Sequence, residues 1–161
     1  MLTIIWHSRT GAARAMAEAA CLAAERAAPG SVRLIKAQHV QPDDLLGAGG
    51  YLFACPENLG TMSGAMKEMF DRCYYPLLGR IEGRPYATMI AAGSDGHGAQ
   101  AQIDRIVTGW RLRRIAEPLI VNLIAQTPEA ILGLKTLSRE QLAPCRELGA
   151  ALGEGLIQGI F

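Results

Sequence analysis

Five short, predominantly apolar runs recur along the chain, and each ends at a turn or a polar loop. Such runs are typical of β-strands that are buried on both faces of a sheet. The five predicted strands are Leu2–Trp6, Val32–Ala37, Tyr51–Cys55, Tyr86–Ala92 and Leu119–Ile124. Arg33 and Lys36 interrupt the second run, which predicts a position at the edge of the sheet rather than at its centre.

Between these runs, apolar residues recur every three or four positions, which is the spacing of one face of an α-helix. Four helices are predicted, with stripes that begin at Ala13, Met66, Ala99 and Leu142. Ser63 is placed to cap the second helix, and Ser138 with Gln141 forms a capping-box pair ahead of the fourth. Residues 127–136 fit neither spacing, and we expect an excursion between the fifth strand and the last helix.

Strands that alternate with helices, and that are apolar on both faces, predict an α/β fold. We expect a three-layer αβα sandwich whose five-stranded parallel sheet has the order 2-1-3-4-5. The sequence contains neither an internal repeat nor an interdomain linker, because the glycine-rich stretch at 47–50 is too short to separate domains. The length of 161 residues is in the range of one compact domain. The sequence therefore predicts a single domain over residues 1–161.

Charge and cysteine content narrow the function classes. Sixteen basic residues nearly cancel 15 acidic ones, and a net charge of +1 is too small for a nucleic-acid-binding surface. The same balance disfavours an acidic electron carrier. The four cysteines form no CxxC pair, and no leader segment is recognisable, so we expect a reducing, cytoplasmic location. No apolar run approaches the length of a membrane-spanning helix, and no membrane insertion is expected.

Three loops rich in Gly, Ser, Thr and Asn follow the first, third and fourth strands. They are His7–Ala13, Pro56–Gly64 and Gly93–Gly98. In open parallel sheets, ligands bind outside the carboxyl ends of the strands where the strand order reverses, here between strands one and three. The sequence therefore predicts a ligand site that these three loops surround.

The first loop has the groups that bind a phosphate. Ser8 and Thr10 supply hydroxyls, Gly11 permits close backbone approach, and the N–H groups of Ala12 and Ala13 begin a helix. A plain strand-to-helix turn capped by Ser8 or Thr10 explains the loop equally well. The loop is neither a Walker A motif nor a GxGxxG dinucleotide fingerprint.

The other two loops suit a flat heterocycle. The backbone amides and Asn58 of the second loop can hydrogen-bond a polar edge, while Leu59 and Met62 can contact a ring face. The third loop is placed to complete a pocket wall, and His97 within it is assigned no role in proton transfer. We predict no metal site and no catalytic side chain.

Two segments carry a family resemblance. Residues 7–11, His-Ser-Arg-Thr-Gly, look like the FMN phosphate loop of the flavodoxin-like flavoproteins. The segment Pro56–Gly64, followed by Lys67 and Asp71, is similar to the P-x-x-x-G-x-M-x-x-x-x-K-x-x-x-D pattern of the NAD(P)H-dependent FMN reductases and NAD(P)H:quinone oxidoreductases. Both segments occur in the order and spacing of that family.

The resemblance implies a flavodoxin-like fold and a set of FMN-binding residues. The phosphate would be held by the first loop, at Ser8, Arg9, Thr10, Gly11, Ala12 and Ala13. The isoalloxazine would be lined by the second loop, at Pro56, Glu57, Asn58, Leu59, Gly60 and Thr61. Its other edge would meet the third loop, at Gly93, Ser94 and Gly96. Lys67 and Asp71 would form an i, i+4 pair on a helix surface.

The chain departs from the family pattern in two ways. Ala13 stands where many relatives have a hydroxyl that joins the phosphate, and the third loop has no aromatic residue to stack on the flavin. The function implied is an enzyme that transfers a hydride from NAD(P)H through FMN to a small-molecule acceptor such as a quinone or free flavin, and that forms a homo-oligomer. Two alternatives stay open: a flavodoxin-type electron-transfer protein without NAD(P)H activity, and a flavin-free binding module on the same fold.

Overall fold

A computed structural model describes all residues, 1–161, and has the expected three layers around a parallel sheet. The strands are β1 (Leu2–Trp6), β2 (Val32–Lys36), β3 (Gly50–Asn58), β4 (Thr61–Met62), β5 (Pro85–Ala92), β6 (Arg113–Arg114) and β7 (Leu119–Asn122). The helices are α1 (Ala12–Ala27), α2 (Pro42–Leu46), α3 (Gly64–Leu77), α4 (His97–Gly109), α5 (Pro128–Leu132) and α6 (Arg139–Gln158). No helix combines the length and the apolar character needed to cross a bilayer.

The main sheet has the predicted order, although it has seven strands rather than five. The parallel strands run β2-β1-β3-β5, with β2 at the edge as expected. The fifth position is divided: β6 pairs with the beginning of β5, and β7 pairs with its end. The remaining extra strand, β4, turns back antiparallel along the last two residues of β3. Both additions are two-residue strands, too short to produce an apolar pattern.

Two apolar cores lie on the two faces of the sheet. On one face, strand residues such as Ile4 and Met89 pack against α1 and α6. On the other face, an aromatic group around Phe53 and Phe70 packs against α3 and α4, and the two rings have centroids 5.1 Å apart. Trp110 closes this second core in an edge-on contact with Phe70. Trp110 is buried in this core.

The sequence pattern missed two short helices, α2 and α5. Helix α2 buries only Leu45, and the guanidinium of Arg84 donates to the carbonyl oxygens of Leu45 and Leu46 at 2.8 and 2.9 Å. Helix α5 lies in the segment that fitted no pattern. Its N-cap residue is Thr127, whose hydroxyl accepts from the Ala130 N–H. Because α5 buries no side chain, it has no apolar stripe.

Of the three side-chain interactions predicted for the helices, two are confirmed and one cap is not formed. Ser138 and Gln141 form the reciprocal capping box of α6. Lys67 and Asp71 make the predicted surface ion pair at 2.7 Å. Ser63 is at the N-cap position of α3, but its hydroxyl makes no cap hydrogen bond. It lies 2.8 Å from Nδ1 of His7 instead, because the first loop comes close to the start of α3.

Helices α1 and α6 approach each other through small residues. The Cα hydrogens of Gly149 and Gly153 face Ala20 and Ala24 of α1. A β-carbon on Gly153 would lie 3.1 Å from the carbonyl oxygen of Ala24, and one on Gly149 would collide with the backbone of Ala20. The alanine-rich face of α1 is thus held between the sheet and the backbone of α6.

We expect Gly149→Ala to lower the free energy of unfolding by about 1 to 3 kcal/mol, because the added methyl group overpacks the contact with Ala20. Urea denaturation measures this change. Gly109→Ala is the matched control, since Gly109 also lies in a helix but has open space around its Cα, and it should keep or gain stability through helix propensity. Equal stability of both variants would contradict the close helix contact.

Candidate functional site

A cleft of about 700 Å³ lies at the carboxyl ends of β1, β3 and β5, where the strand order reverses. The structure brings most of the predicted site residues to its walls: Ser8, Arg9, Thr10, Ala12, Ala13, Pro56, Glu57, Asn58, Leu59, Gly60, Gly93 and Ser94. Gly11, Thr61 and Gly96 lie beside the cleft without lining it. The cleft is large enough for a ligand of nucleotide size.

The first loop leaves a row of backbone donors without partners. The N–H of Gly11 donates to the Ser8 hydroxyl at 3.1 Å. The N–H groups of Arg9, Thr10, Ala12 and Ala13 donate to no acceptor in the protein. Gly11 has φ 100°, a left-handed conformation that favours glycine and that turns the chain into α1. The first helical turn contains no acidic residue, so its positive dipole end is not neutralised.

His7 is held at the base of this loop as a neutral group. Burial, and secondarily the charge of Arg9, lowers the pKa of the His7 imidazole below its ordinary value of 6.5. His7 does not line the cleft. Cys55, in β3, is fully buried. Burial raises the pKa of its thiol to about 12, so this thiol stays protonated. Neither side chain supplies an acid or a nucleophile to the cleft.

The second loop is a β-hairpin whose tip projects beside the cleft. Leu59 and Gly60 have φ of 53° and 71°, the positive values that a two-residue type I′ hairpin turn requires. The Thr61 hydroxyl oxygen lies 3.1 Å from the carbonyl oxygens of both Asn58 and Met62. It shares its one hydrogen between these acceptors and closes the turn. The Leu59 side chain is fully exposed at the tip, so the hairpin presents an apolar surface at the mouth of the cleft.

Glu57 joins the hairpin to the third loop. Its two carboxylate oxygens accept from the backbone N–H groups of Gly96 and Ala99, at 2.8 and 3.0 Å. These groups belong to the first turn of α4, which has no side-chain cap of its own. A β-carbon on Gly98 would collide with the carbonyl of Gly60, so the hairpin and the helix are in direct backbone contact. The carboxylate of Glu57 is therefore a structural cap, although Glu57 lines the cleft.

The third loop presents two more free donors. The N–H groups of Gly93 and Ser94 have no acceptor in the protein. Their loop is held in place from β7, because the Ala125 N–H donates to the Gly93 carbonyl at 2.8 Å and the Asn122 amide donates to the Ser94 carbonyl. The loop is thus fixed through its carbonyl groups, which leaves the N–H groups of Gly93 and Ser94 without partners.

The sequence interpretation missed the wall that follows β7. This wall consists of Leu123, Ala125, Ile131, Leu132 and Lys135, together with Ala91 at the floor. The backbone N–H of Lys135 donates to the Thr10 carbonyl at 2.7 Å, which ties the segment after α5 to the first loop. The only sequence feature that could have indicated it is its position after a parallel strand, where ligand-binding loops occur.

The cleft is cationic at one end and apolar at the other. Arg9, which makes no ion pair, lies at the end formed by the first loop, and Lys135 lines the same end with its ammonium donating to the carbonyl oxygens of Ile131 and Gly133. Leu59 and Leu123 line the cleft on the side of the second loop and β7, and Leu132 lines it from α5. No aromatic residue lines the cleft. This distribution fits a ligand with an anionic tail and a flat, weakly polar head.

Comparison with known proteins identifies the family. A model of the NADPH-dependent FMN reductases matches residues 23–118, which is more than half of the chain. The chain belongs to this family. The chain is also 27% identical, over 156 residues, to a flavodoxin from Aquifex aeolicus. This match covers 94% of the chain and 84% of the relative.

Solved structures confirm the flavodoxin-like fold of this family member. A flavodoxin from the domain Archaea superposes with a TM-score of 0.77 at 18% identity, covering 97% of this chain and 98% of that protein. A flavodiiron protein from Giardia intestinalis gives a TM-score of 0.76 at 20% identity, and the match spans 98% of this chain but 36% of that protein. A WrbA-like protein from Agrobacterium tumefaciens gives 0.69 at 17% identity, covering 98% and 97% of the two chains.

We expect Glu57→Ala to lower the free energy of unfolding by about 1 to 2 kcal/mol, because two N–H groups of α4 lose their acceptor. Chemical denaturation measures the change, and hydrogen exchange at Gly96 and Ala99 should accelerate. Glu117→Ala is the matched control, because the Glu117 side chain is exposed and makes no hydrogen bond or ion pair. Unchanged exchange in Glu57→Ala would contradict the capping role.

Proposed function

We propose that the chain is an oxidoreductase that binds FMN in the large cleft and transfers a hydride from NAD(P)H to a small acceptor such as a quinone or free flavin. The observation that carries the proposal is the row of unpartnered N–H groups at Arg9, Thr10, Ala12 and Ala13, which lies at the cationic end of the cleft. Donors left without a protein partner in this number are costly unless a ligand or water accepts from them.

The FMN phosphate fits this end of the cleft. The helix dipole of α1 and the free guanidinium of Arg9 both favour a phosphate dianion. The hydroxyls of Ser8 and Thr10 are within the same loop. Ala13 contributes an N–H but no hydroxyl, which costs this site about 1 kcal/mol of binding relative to a Ser or Thr there.

The isoalloxazine fits the other end. The N–H groups of Gly93 and Ser94 are available to the acceptor atoms along its polar edge. The Asn58 amide makes no hydrogen bond in the protein and can contact the same edge. Leu59, Leu123 and Leu132 offer aliphatic contact to the ring faces in place of a stacked aromatic residue.

FMN, when bound, supplies the hydride-accepting chemistry itself, so the protein needs no acid or base at the reacting atom. The chain's residues bind the cofactor, orient it and exclude water from one face. The cleft agrees with this, because the Glu57 carboxylate already accepts from the Gly96 N–H and neither His7 nor Cys55 lines the cleft.

The NAD(P)H donor and the small acceptor are supported by the family and by the apolar mouth of the cleft. The exposed side chains that line the cleft, Leu59, Ile131 and Leu132, suit a second flat molecule. The Aquifex relative supports the competing possibility of an electron carrier. Apolar side chains at the end of α3, Tyr74, Tyr75 and Leu78, support a homo-oligomer, and four free cysteines support a reducing, cytoplasmic location.

Thr10→Glu should weaken FMN binding by at least about a hundredfold, because it places a carboxylate beside the phosphate. The measurement is the dissociation constant from flavin fluorescence, with visible absorbance after desalting as a second readout. Thr108→Glu makes the same substitution on the exposed face of α4 and should bind FMN as the natural protein does. Equal affinities of the two variants would place the phosphate elsewhere.

Anaerobic mixing of the FMN-loaded protein with NADPH or NADH should bleach the flavin absorbance, and adding a quinone should restore it. Protein loaded with FMN but not exposed to the nicotinamide is the control. If neither nucleotide bleaches the flavin but a reduced carrier protein does, the chain is an electron-transfer protein and the enzyme proposal is wrong.

A further inference from the structure

A second, smaller cavity of about 290 Å³ lies on the outer side of the first loop. It is bounded by that loop, by the first turn of α1 and by the end of β2. Ser8 and Arg9 line both this cavity and the large cleft, so the two sites share one wall. Apart from Ser8, Arg9 and Gly11, which belong to the first loop, no residue of the smaller cavity takes part in the proposed binding of FMN.

The smaller cavity concentrates positive charge. Three of its eight lining residues are the cations Arg9, Arg14 and Lys36, and none is acidic. The side chains of Arg9 and Lys36 make no ion pair and no hydrogen bond, while Arg14 pairs only with the exposed Glu18, at 2.7 Å. Exposed pairs of this kind are weak, so Arg14 can exchange its partner for a ligand. Like charges that converge on one cavity repel each other unless an anion lies between them.

Trp6 explains why two of these cations converge. The guanidinium carbon of Arg14 lies 6.0 Å from the centroid of the indole, and the Lys36 ammonium lies 5.4 Å from it. Cation–π attraction of this kind favours positions over the ring. The indole is 9% exposed, so it is fixed by the core and presents a constant surface to the cavity. Leu134 forms an opposing apolar wall.

We propose that the smaller cavity is a second phosphoryl site, which binds a phosphorylated adenosine. Arg14 and Lys36 would hold the phosphoryl oxygens, and Trp6 with Leu134 would contact the flat base. Such a group is present both in the ADP half of FAD and in the adenosine phosphate of NADPH. The shared wall at Ser8 and Arg9 lets a dinucleotide extend from the large cleft into the small one. Only the extension of a dinucleotide from one cavity into the other rests on the proposed function, because an adenosine phosphate can bind in the smaller cavity without FMN.

The deciding experiment titrates adenosine 2′,5′-bisphosphate into the FMN-free and FMN-loaded protein, with tryptophan fluorescence as the readout. We expect saturable quenching that Trp6→Phe abolishes. Lys36→Gln should weaken binding by about tenfold, since it removes a charged donor to the phosphoryl group. Lys67→Gln, which removes a lysine from the surface of α3, is the matched control and should bind as the natural protein does.

Three results would overturn the proposal. They are the absence of saturable quenching at millimolar bisphosphate, equal affinity of Lys36→Gln and the natural protein, and pyrophosphate binding as tight as that of the bisphosphate. Inorganic pyrophosphate titrated in parallel should bind more weakly; equal binding would overturn the assignment to an adenosine. FMN affinity, measured on the same samples, should be the same in Lys36→Gln, so failure of this proposal and failure of FMN binding are distinguishable.

Two further measurements identify the source of the adenosine phosphate. If it belongs to FAD, the natural protein will bind FAD more tightly than FMN, and Lys36→Gln will remove the difference. If it belongs to NADPH, Lys36→Gln will raise KM for NADPH while KM for NADH and both kcat values stay unchanged. Either pattern supports the second site.

Discussion

The close contact between α1 and α6 is the constraint on which the rest of this fold depends. Helix α1 is buried through alanines and Met16, which allow it to lie close to the sheet. Gly149 and Gly153 allow α6 to approach the other side of α1 equally closely. Because the position of α1 is fixed from both sides, its first turn is fixed too. Ala12 and Ala13, whose N–H groups have no acceptor in the protein, therefore line a cleft of defined shape.

The opposite wall of the cleft depends on one carboxylate. Glu57 extends from the end of β3 to the first turn of α4, so two loops that follow different strands behave as one unit. A hairpin of this length on its own is marginally stable. Its attachment to α4 gives the apolar tip at Leu59 a definite position relative to Gly93 and Ser94.

The sequence predicted the parts of this structure that have their own local pattern. The bounds of β1, the strand order and the capping box of α6 all follow from apolar runs and turn residues, and the structure confirms them. The three loops were also correctly expected at one edge of the sheet, because that placement follows from the alternation of strands and helices.

What the sequence could not predict depends on contacts between distant residues. Helix α5 buries nothing, and Lys135 reaches the cleft only because its backbone bonds to Thr10. Glu57 lines the cleft, and its carboxylate accepts from the N–H groups of Gly96 and Ala99. This capping role could not be predicted, because spacing along the chain does not report which donor an acceptor will find. The convergence of Arg14 and Lys36 over Trp6 likewise depends on the register of β1 against β2.

The exposed aliphatic rim of the cleft also has a calorimetric consequence. Leu59 and Leu132 are exposed to water and line the cleft, and Leu59 adopts a positive φ value that non-glycine residues seldom occupy. Any flat molecule that covers this rim removes apolar surface from water without having to build the pocket first. Its association will therefore have a negative change in heat capacity, so the binding enthalpy will become more favourable as temperature rises.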